Sequence, residues 1–300
     1  NAYDHVSTEE WAGMRILITG SSGQLGTDLQ TTLTHHELTV LPHSQLDIGE
    51  RASVDEAFSA YRPDVVINTA AYHKVDECEA FPEKTFSVNT VAPRNLAEAC
   101  DSKSAKLVHF STNFVFDGNA DQPYTEEDSP APLSVYGVSK LSGEHLVRAT
   151  SPKHLIVRTT GLYGKAGSGS AGKGLNFVEL MIKLGRERGK VTVVDDQIMT
   201  PTATADLAQK VATLVEDDVI GTYHITNSGA CSYAEFARSI FEKVGIKADV
   251  TPTTTAEYNS PARRPLYSVL DNSRLHELGG PPLRLWEEAL QDYLESRCYL

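Results

Sequence analysis

The sequence predicts an α/β protein: a doubly wound parallel sheet with a smaller α/β substrate domain interleaved toward the C-terminus. Three observations carry that expectation. Short apolar runs alternate with longer segments of helical periodicity through the first half of the chain. A glycine-rich turn, TGSSGQLG (19–26), directly follows the first of those runs. After Arg158 the texture changes, and the glycine- and serine-rich stretch GKAGSGSAGKG (164–174) interrupts the alternation.

RILIT (15–19) has the length and composition of a buried strand, and the helix after its turn runs from Gln24 to Leu33. LTVL (38–41), DVVIN (64–68), KLVHF (106–110) and HLIVR (154–158) repeat the strand signature. Helical patterns lie between them at 51–60, 83–100 and 134–149. Pro93 lacks a backbone N–H and is expected to kink or split the helix over 83–100. Farther on, a helix over 175–188 precedes VTVV (191–194), which reads as another strand of the sheet. A helix over 204–216, the strand TYHIT (222–226), a helix over 232–244 and a last helix from 286 complete the chain.

Bulk properties narrow the function classes. The formal net charge of −13 disfavours duplex nucleic acid and anionic membrane surfaces as partners. No window approaches the run of about twenty apolar residues that a membrane span needs. Four scattered cysteines, without zinc-ligand spacing, fit a reducing cytoplasm better than a disulfide framework. The polar, acidic opening NAYDHVSTEEWAG (1–13) reads as an extension or an expression scar ahead of Met14.

Gly20, Gly23 and Gly26 close the first strand and open a helix. Close backbone approach to a pyrophosphate needs residues without a Cβ, and a helix N-terminus offers amides and a positive dipole end. A plain strand-to-helix turn accounts for the same glycines when they stand alone. These features give a Rossmann-type dinucleotide-binding domain over 14–160, with segments near 191–226 returning to it, and a mainly substrate domain over 161–300.

After the second strand, LPHSQLDI has neither the carboxylate that would bond a ribose 2′-hydroxyl nor an arginine for a 2′-phosphate. His43 and Ser44 suit either, so NADPH and NADH both remain open. Asp47 and Ile48 are expected beside the adenine; a turn aspartate before a helix fits Asp47 equally. NTAAY (68–72) ends the third strand in small residues, which either admit a cofactor or pack the core. HFSTNFVFDG (109–118) sets Ser111 and Thr112 at the carboxyl end of the fourth strand, where open α/β sheets bind ligands. VYGVSKLSGE (135–144) places Tyr136 and Lys140 one helical turn apart on one face. Alone, that spacing is merely an aromatic and a charge on a helix. With Thr112 and the glycine turn it becomes a donor set aimed at a carbonyl.

This ordered series resembles the extended short-chain dehydrogenase/reductase superfamily, whose signature is TGxxGxxG, a strand-end Ser/Thr and YxxxK. More narrowly it resembles the dTDP-4-dehydrorhamnose reductase family, on GSSGQLG, LDI, PDVVINTAAY, VDECE, VNTVAPRNLAEA, STNFVFDG, YGVSKLSGE, VVDDQ, TYHITNSG and ARRPLYSVLDNSRL. The resemblance implies reduction of the C4 ketone of dTDP-4-dehydro-L-rhamnose by NADPH or NADH, with NADPH slightly favoured. It implies Thr112, Tyr136 and Lys140 as the catalytic set. Gly20, Gly23, Gln24, Leu25, Gly26, His43, Asp47, Ile48, Ala70, Ala71, Tyr72, Asn89 and Phe110 fall to the cofactor, with Tyr136 and Lys140. Thr112, Asn113, Tyr136, Gly161, Asn176, Arg263 and Arg264 fall to a dTDP-4-keto-6-deoxysugar; a surface ion pair is the plainer account of the arginines.

Two departures bear on the sugar. The family pattern STDYVFDG has Asp where this chain has Asn113, and RTSWxYG has Trp where this chain has Gly161. Mg2+ stays open as a cofactor but unsupported, because the early acidic position is Asp28 rather than Glu. A homodimer stays open. Competing readings are a reductase of a different dTDP-4-keto-6-deoxysugar, an epimerase or 4,6-dehydratase, and a non-catalytic regulatory subunit. The absence of an acid pair after Thr112 weighs against the dehydratase, and the intact donor set weighs against the regulatory subunit.

Overall fold

A computed structural model of the chain describes residues 13–167 and 174–300. Residues 1–12 of the expected extension, and the centre of the glycine- and serine-rich stretch, lie outside the described residues. The first half runs β1 (Arg15–Thr19), α1 (Gln24–Thr32), β2 (Glu37–Val40), α2 (Arg51–Tyr61), β3 (Val65–Asn68) and α3 (Val75–Ala80). It continues with α4 (Pro82–Phe86), α5 (Ala92–Lys103), β4 (Lys106–Thr112), α6 (Val135–Thr150) and β5 (His154–Thr159). A π-helical turn, Ser87–Val91, joins α4 to α5 just before Pro93, which sits in the first turn of α5 where its missing N–H is tolerated.

The second half opens with β6 (Leu162–Tyr163), α7 (Phe177–Arg188), β7 (Lys190–Val194), β8 (Ile198–Met199), β9 (Thr202–Ala203), α8 (Thr204–Glu216) and β10 (Gly221–His224). It closes with β11 (Cys231–Ser232), α9 (Tyr233–Val244), β12 (Asp249–Thr253), α10 (Thr255–Tyr258), α11 (Ser273–His276) and α12 (Trp286–Ser296).

Six strands form one parallel sheet in the order β10-β5-β4-β3-β1-β2. The order reverses between β1 and β3, and such a switch point opens a ligand crevice at the carboxyl edge. Leu25 and Leu29 of α1 pack with Leu207 and Val211 of α8 on one face of the sheet. Val54 and Phe58 of α2, Leu96 of α5 and Val147 of α6 cover the other. Thus α8 packs on the six-stranded sheet and β10 joins it. VTVV does not. Among the described residues β7 pairs only with β12, and its side chains alternate exposed and buried, whereas every residue of β4 is buried. A strand covered on one face belongs to a separate two-stranded layer, here packed with α7, α9 and α12 around Phe236 and Trp286.

One buried ion pair fixes α6 against the sheet. Arg158 of β5 donates from Nε and Nη2 to both oxygens of Glu144, at 2.9 and 2.7 Å, with both side chains out of water. Burial alone would raise the Glu144 pKa, but the Arg158 hydrogen bonds and charge outweigh it and hold the carboxylate below its ordinary value. Arg158 Nη1 also lies 3.4 Å from His224 Nε2, while His224 Nδ1 lies 2.9 Å from the Tyr124 carbonyl. Burial, reinforced by Arg158, lowers His224 to about 3, so the ring is neutral and Nδ1 is the donor.

Among the described residues no helix is long and apolar enough to cross a membrane, and all four cysteines are free. Removing one partner of a buried pair strands the other charge. Glu144→Leu is expected to cost about 3–5 kcal/mol in urea unfolding, and the Glu144→Leu/Arg158→Leu double variant to recover part of it.

Candidate active site

The glycine turn brings the carboxyl ends of β1 and β3 together. Gly20 has φ +68°, and a Cβ there would stand 2.5 Å from the Ala70 backbone nitrogen. Thr19 Oγ1 and the Ala70 N–H both donate to Asn68 Oδ1, at 2.7 and 3.2 Å. Gly23 is the N-cap of α1, and no side chain caps that helix. Its first amides are therefore unclaimed by a cap and sit at the positive end of the helix dipole. Uncapped amides at the start of α1, directly after a turn packed against the β3 loop, fit a dinucleotide pyrophosphate.

The other expected cofactor residues divide into two groups. His43 and Asp47 lie on the loop after β2, His43 exposed and Asp47 half-buried; Asp47 Oδ1 accepts the Gly49 N–H at 2.9 Å, a turn aspartate. Ala70, Ala71 and Tyr72 are half-buried on the loop after β3. Leu25, Ile48 and Phe110, in contrast, point into the core. Gln24 Oε1 accepts the Gly164 N–H at 2.8 Å, so its side chain anchors the start of the glycine-rich stretch. Asn89 is fully buried in the π turn. It accepts the Tyr72 N–H at 2.8 Å and donates to the Tyr72 carbonyl and Ser139 Oγ, at 2.9 and 3.0 Å. It holds the β3 loop to α6, and its amide is spent on protein.

Thr112 ends β4 and caps the 3-10 turn Asn113–Val115, accepting the Phe114 N–H at 3.2 Å. α6 begins at a Ser134 cap and presses onto that turn: a Cβ on Gly137 would lie 2.3 Å from the Phe114 carbonyl. Tyr136 thereby stands edge-on to Phe114, with ring centroids 5.6 Å apart, and its hydroxyl neighbours Thr112. Burial pushes the Tyr136 pKa up to about 12, with Thr112 opposing. Burial likewise lowers Lys140, one turn on, to about 8, with Glu144 opposing. Desolvation outweighs any acidifying effect of Lys140 on Tyr136, so the phenol is protonated at neutral pH.

On the substrate side the structure separates what the sequence grouped. Asn113 is buried and bonded to Thr112 and Ser268. Gly161 has φ +60°, and a Cβ there would lie 2.9 Å from the Thr200 carbonyl, which explains why no tryptophan stands there. Asn176 instead caps α7, accepting the Glu179 N–H at 3.0 Å and donating to Gly164 O and Tyr293 Oη, both at 3.0 Å. Arg264 pairs with Asp76 of α3 at 3.1 and 2.9 Å, the ion pair that was the plainer reading, while Arg263 is exposed.

The family model described as the RmlD substrate binding domain matches residues 14–298. The dTDP-4-dehydrorhamnose reductase of Streptomyces griseus is 41% identical over 293 residues, covering 95% of this chain and 94% of the relative. The chain belongs to the dTDP-4-dehydrorhamnose reductase family. Two solved members share its fold closely. That of Clostridium acetobutylicum has a TM-score of 0.90 at 43% identity, covering 95% of this chain and all of the other. That of Bacillus anthracis, in complex with NADP, has 0.90 at 38%, covering 95% and 99%.

Sequence reasoning missed two buried groups near Thr112, Tyr136 and Lys140. Ser139 Oγ donates to the Tyr136 carbonyl at 2.7 Å, and neutral, fully buried His109 lies 3.3 Å from Asn68 Nδ2. Glu144 was readable in principle, since Tyr136, Lys140 and Glu144 recur every four residues along one helix face.

The Mg2+ question turns on Asp28, which burial pushes toward protonation and which accepts from the Thr204 hydroxyl, a poor cation ligand. Elsewhere His35, His36 and Glu216 converge within 4.8 Å. His36 Nδ1, however, accepts the Met14 N–H, so the neutral ring carries its proton on Nε2, facing Glu216 rather than an ion.

Gly20→Ala adds a Cβ where neither φ nor space admits one. Its dinucleotide affinity, read by quenching of protein fluorescence, is expected to fall by at least about tenfold.

Proposed function

We propose that the protein reduces the C4 ketone of dTDP-4-dehydro-L-rhamnose to dTDP-L-rhamnose, with NADPH favoured slightly over NADH. The observation that carries this reading is the packing of Tyr136 beside Thr112 at the carboxyl end of β4, one turn from buried Lys140, in the sheet whose β1 leads through the glycine turn to the uncapped amides of α1. A bound NADPH supplies a hydride from its nicotinamide C4 to the ketone carbon. Tyr136 holds the matching proton, because its pKa near 12 keeps it a phenol at neutral pH, and gives that proton to the ketone oxygen. The phenolate left behind is stabilised by the Lys140 ammonium in a site of low dielectric. Thr112 orients the ketone oxygen and donates to it as negative charge develops.

Arg263, exposed on the loop after α10, suits the nucleotide diphosphate, and Arg264 braces that loop through Asp76. The four free cysteines suit action in the cytoplasm. A second reading, reduction of a different dTDP-4-keto-6-deoxysugar, is favoured by the neutral Asn113 and by Gly161, which offers the sugar no stacking surface.

An absorbance assay with dTDP-4-dehydro-L-rhamnose, followed by product identification, tests the assignment. Stoichiometric NADPH oxidation yielding dTDP-L-rhamnose is expected; product formation without net cofactor consumption would point to an epimerase or dehydratase and sink it. Tyr136→Phe should lose roughly 10²–10⁴-fold in kcat while keeping NADPH affinity. Lys140 is charged below its pKa of about 8 and loses its proton as pH rises through that value. A basic limb in kcat/KM near pH 8 is therefore expected, and Lys140→Met should weaken both cofactor binding and rate and abolish the limb.

A further inference from the structure

α3 is six residues long, yet its carboxylates fasten three parts of the molecule. Asp76 accepts from Arg264 Nη1 and Nη2, at 3.1 and 2.9 Å, and from the Ala262 N–H at 3.1 Å. Both partners lie on the loop after α10 that also carries Arg263. Glu77 accepts the Tyr72 hydroxyl at 2.8 Å, on the loop after β3. Glu79, three residues beyond Asp76 and so its neighbour on the helix surface, accepts the Val135 N–H at 2.8 Å.

Val135 is the first residue of α6 and the direct neighbour of Tyr136. Its amide belongs to the first turn, whose N–H groups have no partner within the helix. Ser134 Oγ secures the third residue, accepting the Gly137 N–H at 3.2 Å, and Glu79 secures the first from 56 positions earlier in the chain. At the other end of α3, the Arg264 hydrogen bonds hold the Asp76 carboxyl below the usual carboxylate range, so that contact is charged at neutral pH.

We propose that α3 is a positioning clasp, in which Glu79 sets the first turn of α6, and with it Tyr136, relative to the nucleotide-sugar loop that Asp76 holds. The inference rests on the reading of Tyr136 as proton donor and of the Arg263 loop as a nucleotide contact. A phenol passes its proton only at hydrogen-bond range from the ketone oxygen, and small misplacements are costly. Arg263 meets the substrate at its diphosphate, away from that oxygen. The protein must therefore keep two distant points in register, and a short helix bonded to both sides is a direct strut between them.

Glu79→Ala, Asp76→Ala and the double variant, compared in steady-state reduction of the 4-keto sugar nucleotide, test the clasp. Glu79→Ala is expected to lower kcat roughly 5- to 50-fold with the KM for NADPH unchanged. Glu79→Asp withdraws the same carboxylate by one methylene and serves in its place if the alanine variant does not fold. Asp76→Ala should raise the KM for the nucleotide sugar roughly 3- to 10-fold and lower kcat less steeply. Glu79→Gln keeps an oxygen for the Val135 N–H and should restore kcat to within about threefold of wild type. With one end already free, releasing the other costs little more, so the double variant should lose less in kcat/KM than the product of the single losses. A Glu79→Ala enzyme with wild-type kcat and only a lowered melting temperature marks a mere helix cap and overturns the proposal. So does a glutamine that fails to restore the rate, or a double variant whose losses multiply. Should Tyr136→Phe itself be fully active, the reading of the site fails instead, and the two failures are told apart.

Discussion

A carboxylate sealed from water inside α6 sets the terms for everything at the carboxyl edge of the sheet. Glu144 has no exposed surface, and its charge persists because Arg158 of β5 grips both oxygens, with Arg148 adding a hydrogen bond at 3.1 Å and Ser111 another. Replacing such a pair with apolar residues need not reduce stability, so its value lies in geometry rather than net energy. Arg158 pairs in register with Ser111, the residue before Thr112. The ion pair therefore ties α6 to the strand neighbouring the Thr112 hydroxyl. Lys140 and Tyr136 lie one and two turns up the same helix face, so anchoring Glu144 aims both of them over the end of β4.

Close backbone contacts supply the second constraint. Gly137 lets the first turn of α6 sit on the Phe114 carbonyl, and Asn89 ties that helix through Ser139 to the loop after β3. The π turn that carries Asn89 directly precedes Pro93. One local adjustment in helical pitch thus accommodates the proline and brings the asparagine to the loop. On the other side, Gln24 ties α1 to Gly164 and Asp28 ties it to Thr204, so the helix that presents uncapped amides also fastens the second half of the chain.

Local patterns were legible in the sequence where the physics is local. RILIT coincides with β1, the glycine turn with the β1–α1 junction, and the four-residue spacing with the arrangement of Tyr136 and Lys140. What could not be read depends on partners distant in sequence. Arg264 meets Asp76 across 188 positions and Asn176 meets Tyr293 across 117, and no local pattern distinguishes a ligand contact from such a brace. Phe110 falls to the cofactor by the resemblance alone, since β4 is buried on both faces and its alternation marks no ligand-facing side; its ring packs in the cluster with Val108 and Val157. For β7 the alternation in VTVV itself contained the answer, since a strand buried on one face does not sit within a sheet covered on both.

Burial sets opposite signs on Tyr136 and Lys140 of α6, the two groups of the proposed reaction. Desolvation penalises the phenolate and the ammonium alike, raising Tyr136 to about 12 and lowering Lys140 to about 8. A group that must give up a proton in a reduction has to hold it beforehand, and the first shift secures that at neutral pH. The second makes the lysine charge conditional, and Glu144 is the nearby charge that opposes its loss. Were Glu144 unpaired, it would itself drift toward neutrality and stop supporting Lys140; Arg158 prevents this by holding the carboxylate ionised. The ion pair that orients the helix therefore also keeps the lysine charged below pH 8, the range in which a phenolate left at Tyr136 needs it.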